Sequence, residues 1–127
     1  MTYPYQGCLA LCAATIAFTS SVQVAHAAIT PAPPQGAFSV KLKVSSGVQF
    51  ARYRTTKMTS KEVTAYYFDA FTKKDYRVSA AKTGKHFGFL NARKSRSYAT
   101  IQAGGPTGVT FFEVCTGTSK RKVQNCD

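Results

Sequence analysis

The chain has 127 residues, enough for one domain and not two. Its 17 lysines and arginines stand against 5 carboxylates, a formal net charge of +12. A surplus of that size makes polyanions the default partner class: RNA, DNA, acidic lipid, acidic glycan or an acidic protein surface. The chain carries no Walker or dinucleotide glycine loop, no nucleophile triad motif, and no His/Cys/carboxylate spacing that would hold a metal. Nucleotide-hydrolysing, dinucleotide-dependent and metal-dependent chemistry are therefore set aside, and no cofactor is expected.

The first element is an apolar run, CLALCAATIAF at 8–18, followed by the small-x-small site AHA at 25–27. This pattern predicts a secretory signal over 1–27, cut after Ala27. The run is too short for a bilayer span, which takes about 20 apolar residues. The exported chain keeps every charged residue and two of the four cysteines. Cys115 and Cys126 are then the only internal pair, and an oxidising compartment favours their disulfide. The loop it closes is short, so the bond is expected to clasp the C-terminal tail locally, contributing about 3 kcal/mol or less. The rest of the fold must stand on its core, which the Phe and Tyr content allows.

AITPAPPQG (28–36) predicts an extended polyproline-type arm, loosely packed or disordered, reaching to about residue 37. One domain, 38–127, follows. FSVKLKV (38–44) alternates, with Phe38, Val40, Leu42 and Val44 on one face and Lys41 and Lys43 on the other: a half-buried strand with a basic outer face. SSG turns the chain into a second strand, VQFARYR (48–54), completing a hairpin.

The period then changes. Thr59 followed by Glu62 is a capping box, and Val63, Tyr66, Tyr67, Ala70 and Phe71 fall on one helical face. This predicts a single helix over 59–71, its tyrosines facing the core. Beyond it come strand patterns at 75–81, 86–92, 97–103 and 109–116, with turns at KTGK, RKSR and GGPTG. Gly88 inside the 86–92 strand marks a bulge or a close backbone approach, and VTFFEVCT, the most apolar strand, is expected to be central. The expected fold is α+β, one helix packed on an antiparallel sheet, with an all-β sandwich as the alternative.

Two kinds of site are readable. His86 and Glu113 are the one acid–base pair that could serve 2′-OH attack on RNA, with an arginine over the phosphate. The other is a binding surface. Lys41, Lys43, Arg77, Arg93, Lys94 and Arg96 lie on strands or the loops joining them, as do Arg52, Arg54 and Lys85. Tyr53, Tyr76, Phe87, Phe89 and Tyr98 are interleaved with them. Cations track a backbone while bases stack on aromatics, which is how single strands are held without sequence reading.

From TSKEVTAYYFDAF to VTFFEVCT (59–116), the order of elements resembles small secreted fungal guanyl-type ribonucleases. It is more similar to the degenerate ribonuclease-like effectors that plant-pathogenic fungi, notably powdery mildews, secrete. The shared features are a signal peptide, about 100 mature residues, one helix against an antiparallel sheet, and a Gly-rich loop before a final strand ending in Cys, here GGPTGVTFFEVCT. The chain departs from that group in lacking a cysteine near its mature N-terminus. The resemblance implies a ribonuclease-like fold and, with only His86 and Glu113 to offer, a pseudo-enzyme. The resulting expectation is a monomeric, secreted, virulence-effector-type binding protein that engages host RNA or an acidic host protein, outside cells or after uptake. A secreted ribonuclease using Glu113 and His86, and a cationic antimicrobial or toxin protein, are the alternatives.

Overall fold

The computed structural model describes residues 30–126; the predicted signal segment lies outside them. A compact unit begins at Pro31. Its elements run β1 (Phe38–Ser45), β2 (Val48–Thr55), α1 (Ser60–Lys73), β3 (Arg77–Thr83), β4 (Phe87–Lys94), β5 (Ser97–Gly104), β6 (Thr110–Gly117) and α2 (Lys120–Gln124). The strands form one antiparallel sheet in the order β1-β2-β6-β5-β4-β3, so β6 is central, as its apolar content predicts. The fold is α+β and dominated by its sheet.

Local chemistry accounts for the boundaries. Ser46 and Gly47 both take positive φ, 49° and 78°, which closes the tight β1–β2 hairpin. Thr59 and Glu62 form the capping box in full at the start of α1. Its hydrogen bonds from the Thr59 backbone and side chain hold the Glu62 carboxyl below the usual glutamate range. The sign follows: the box helps the helix fully above the ordinary glutamate pKa and is lost as pH falls through the depressed one.

The other end of α1 is closed by a Schellman turn: the Tyr76 amide donates to the Phe71 carbonyl at 2.9 Å and the Asp75 amide to the Thr72 carbonyl at 3.0 Å. The Tyr76 and Phe71 rings complete the motif edge to face, 4.9 Å apart. Asp75 sits at φ 67° where glycine is the usual occupant, and its charge faces the negative end of the helix dipole. Asp75→Gly is therefore expected to stabilise the fold by about 1 kcal/mol, read as a higher urea midpoint at unchanged slope; an unchanged or lower midpoint would show the turn unstrained.

α1 lies over β3, β4, β5 and β6. Val63, Tyr67 and Phe71 are fully buried against Leu90, Ile101, Phe112 and Val114. The Tyr67 hydroxyl is buried without a hydrogen-bond partner, and burial pushes its pKa far up, so it stays neutral. Gly88 explains how the helix comes so close. A Cβ there would lie 1.9 Å from Thr64 Oγ1 and 2.8 Å from the Ser60 carbonyl, so the close-approach reading of this glycine holds.

Three expectations are corrected. β1 is not half-buried: every residue is exposed, because the strand is the sheet edge beyond α1's cover. A bulge at Val40 also breaks its alternation, so that Leu42 and Val44 face the α1 side while Phe38, Lys41 and Lys43 face the other. The Pro-rich arm is packed rather than loose: Pro31 and Pro34 are buried, and the Tyr66 hydroxyl donates to the Ala32 carbonyl at 2.7 Å. Finally, the tail carries a second helix, α2, with Ser119 as its N-cap and Val123 buried.

Candidate nucleic-acid interface

Strand parity divides the charged residues between two faces. Residues paired in register share a face, and Leu90, Ile101 and Val114 mark the α1 side. The opposite, open face has a row that crosses all six strands: Lys41, Arg52, Glu113, Gln102, Phe89, Lys82. A parallel row reads Phe38, Arg54, Phe111, Gly104, Phe87. Its three phenylalanines are 67%, 41% and 46% exposed, an unusual degree for rings of that size. A third row pairs Arg77 directly with Arg93, with Tyr98 next in line. Like charges placed opposite each other destabilise a sheet unless an anion comes between them.

The tail completes this face. Cys115 points to the open side, and its disulfide to Cys126 draws α2 down over one end of β5 and β6. The predicted local clasp is thus present, and it brings Lys120, Arg121 and Lys122 onto the same face. Between them the open-face strands and α2 present Lys41, Lys43, Arg52, Arg54, Arg77, Lys82 and Arg93 with these three, opposed among the described residues by Glu113 alone. The α1 side is different: Lys57, Lys61, Lys73, Lys74 and Lys94 are interspersed with Glu62, Asp69 and Asp75. The excess of positive charge is therefore gathered on one side of the sheet.

Glu113 is at the centre of the open face, where its carboxylate accepts from Arg52 Nε at 2.8 Å and also from Arg52 Nη2. Lys41 and Arg52 lie over the Phe50 ring at 5.9 and 5.7 Å, so the aromatic floor holds both cations in place.

The predicted site residues fare unequally. Arg77 and Arg93 are brought together, Arg52 and Arg54 join them on the open face, and Lys41 and Lys43 reach it from its far edge. Lys94 does not: its Nζ donates to the Lys74 carbonyl at 2.9 Å, closing the C-terminal end of α1 on the other side. Arg96 is exposed in the β4–β5 turn, which is only Ser95 and Arg96 rather than the whole of 93–96. His86 and Glu113 are not assembled into an acid–base pair. His86 precedes β4 and, with Lys85, lines a hollow beside Lys57, Thr59, Ser60 and the 105–108 loop at the start of α1, whereas Glu113 is on the open face with Arg52. Sequence reasoning missed the α2 cations altogether; their signal was Ser119 followed by Val123 and a cysteine.

Among the described residues no group of three or more His, Cys, Asp or Glu is gathered as a metal site, and no helix is long and apolar enough to cross a membrane. No protein family, curated protein or solved structure matches this chain.

Proposed function

We propose that this is a secreted, virulence-effector-type binding protein that captures single-stranded RNA on the open face of its sheet. The observation that carries the reading is the partition of charge: cations crowd the open face around one carboxylate, while those on the α1 side are interspersed with acids. The exposed Phe87 and Phe111 support a nucleic acid over an acidic protein, because they offer flat surfaces to bases between backbone-tracking cations. From Lys43 on β1 to Arg93 on β4 is four strand steps, roughly 19 Å at the usual spacing. A ligand that engages both must be a chain, not a mononucleotide. The apolar leader and the paired cysteines support export to an oxidising compartment. The sheet-and-helix order supports a ribonuclease-like ancestry. Glu113 occupies a central position on this face, but its carboxylate is engaged by Arg52 and His86 is not beside it, which favours capture over cleavage.

The test is binding of a labelled single-stranded oligonucleotide as a function of salt. Arg54→Glu combined with Arg93→Glu is expected to weaken binding about tenfold or more and to flatten the log–log salt dependence by about 0.7 for each phosphate no longer neutralised. Lys57→Glu with Lys61→Glu, on the α1 side, should leave the slope unchanged. Equal losses from both pairs would mean net charge alone drives association. Failure of RNA to bind, with capture of an acidic polypeptide instead, would move the partner to protein.

A further inference from the structure

The α2 helix does more than add charge. Between it and the β1–β2 hairpin runs a groove of about 510 Å³, bordered by Lys43, Ser45 and Ser46 on one bank and Arg121, Lys122 and Asn125 on the other, with Val48 and Phe50 in its floor. No carboxylate lines it among the described residues. Arg121 and Lys122 are exposed on a short tail, yet the Cys115–Cys126 bond fixes that tail opposite Lys43. Three cations converging on a hollow with an apolar floor repel one another until an anion enters. The Ser45 and Ser46 hydroxyls add neutral donors of the kind that complete phosphate recognition, while the Asn125 amide donates to the Arg121 carbonyl at 2.8 Å and steadies the end of α2.

Resting on the reading of the open face as an RNA surface, we propose that this groove is the anchoring subsite for the RNA backbone. A phosphodiester sits between Lys43 and the Arg121–Lys122 pair, the adjoining nucleoside lies beside Val48, and the strand continues along the open face past Arg52 toward Arg54. The disulfide locks the subsite, since it adds a second covalent tie at the far end of a bank that the main chain joins to β6 only through Thr118 and Ser119.

The probe is a labelled single-stranded oligouridylate, titrated into the full folded domain at several salt concentrations. Arg121→Ala with Lys122→Ala is expected to weaken binding about tenfold and to lower the salt slope by about 0.7, the share of the one phosphate the pair holds. These side chains are exposed, so the fold should survive, and an unchanged far-ultraviolet dichroism spectrum checks it. Reduction of the disulfide in wild type should produce a loss of the same size and add nothing to the double variant. Full affinity and slope in the double variant, while Arg54→Glu with Arg93→Glu still weakens binding, would overturn the groove and leave the open face standing. Absence of oligouridylate binding by wild type would overturn both. Full affinity after reduction would remove the disulfide's part in the subsite.

Discussion

Replacing Gly88 by alanine should lower the thermal midpoint by about 10–20 °C, the equivalent of about 2–3 kcal/mol in a domain of this size. The new methyl group would meet Thr64 Oγ1 at 1.9 Å and the Ser60 carbonyl at 2.8 Å, separations that atoms do not occupy. Thr64 cannot simply swing away, because its hydroxyl donates to the same Ser60 carbonyl at 2.8 Å inside the first turn of α1. The helix must lift, and lifting it loosens Val63, Tyr67 and Phe71, all at 0% exposure. Thr64→Ala in the same chain removes the nearer obstacle, so the double variant should recover part of the loss, a coupling that a thermodynamic cycle reads directly. A Gly88→Ala protein as stable as wild type would mean that α1 is not seated on β4 as described.

Breaking the Cys115–Cys126 bond should release the tail and spare the sheet. The bond closes a segment of sequence separation 11, so the chain-entropy account gives it somewhat under about 3 kcal/mol. What it holds is small: α2, with Val123 at 1% exposure packed beside Gly117. Val123 buries little compared with the α1 face. Limited trypsin digestion distinguishes local from global effects, because Lys120, Arg121 and Lys122 are cleavage sites within α2 itself. After reduction these should be cut first, leaving a stable product that ends near residue 120. Simultaneous cutting at Arg77, Arg93 and the α1 lysines would mean that the bond supports the whole fold.

The elements are legible because each is written in a local code. Ser46-Gly47 specifies a tight turn, Thr59 and Glu62 cap a helix, and the strand read at 97–103 is β5, Ser97–Gly104. What escapes is what depends on neighbours. Nothing in FSVKLKV tells that its strand is the edge; that follows from the order β1-β2-β6-β5-β4-β3, and the bulge at Val40 then swaps faces partway along. Arg93 and Lys94 are adjacent in the chain and so read as one cluster, but adjacent strand residues point to opposite sides. The same parity separates Glu113 from the α1 side, where His86 lines its hollow. SKRKVQ reads as a polar tail by composition; only its disulfide and the buried Val123 turn it into part of a surface.

The edge position of β1 has a kinetic consequence. An exposed strand held by one neighbouring strand among the described residues opens without waiting for the domain to unfold, so its amides would trade hydrogen with solvent well before those of β5 or β6. Lys43 rides on that strand. An RNA bridging Lys43 to Arg121 would be stitching down the loosest margin of the molecule, and the slowing of exchange along β1 would itself report that the ligand had arrived.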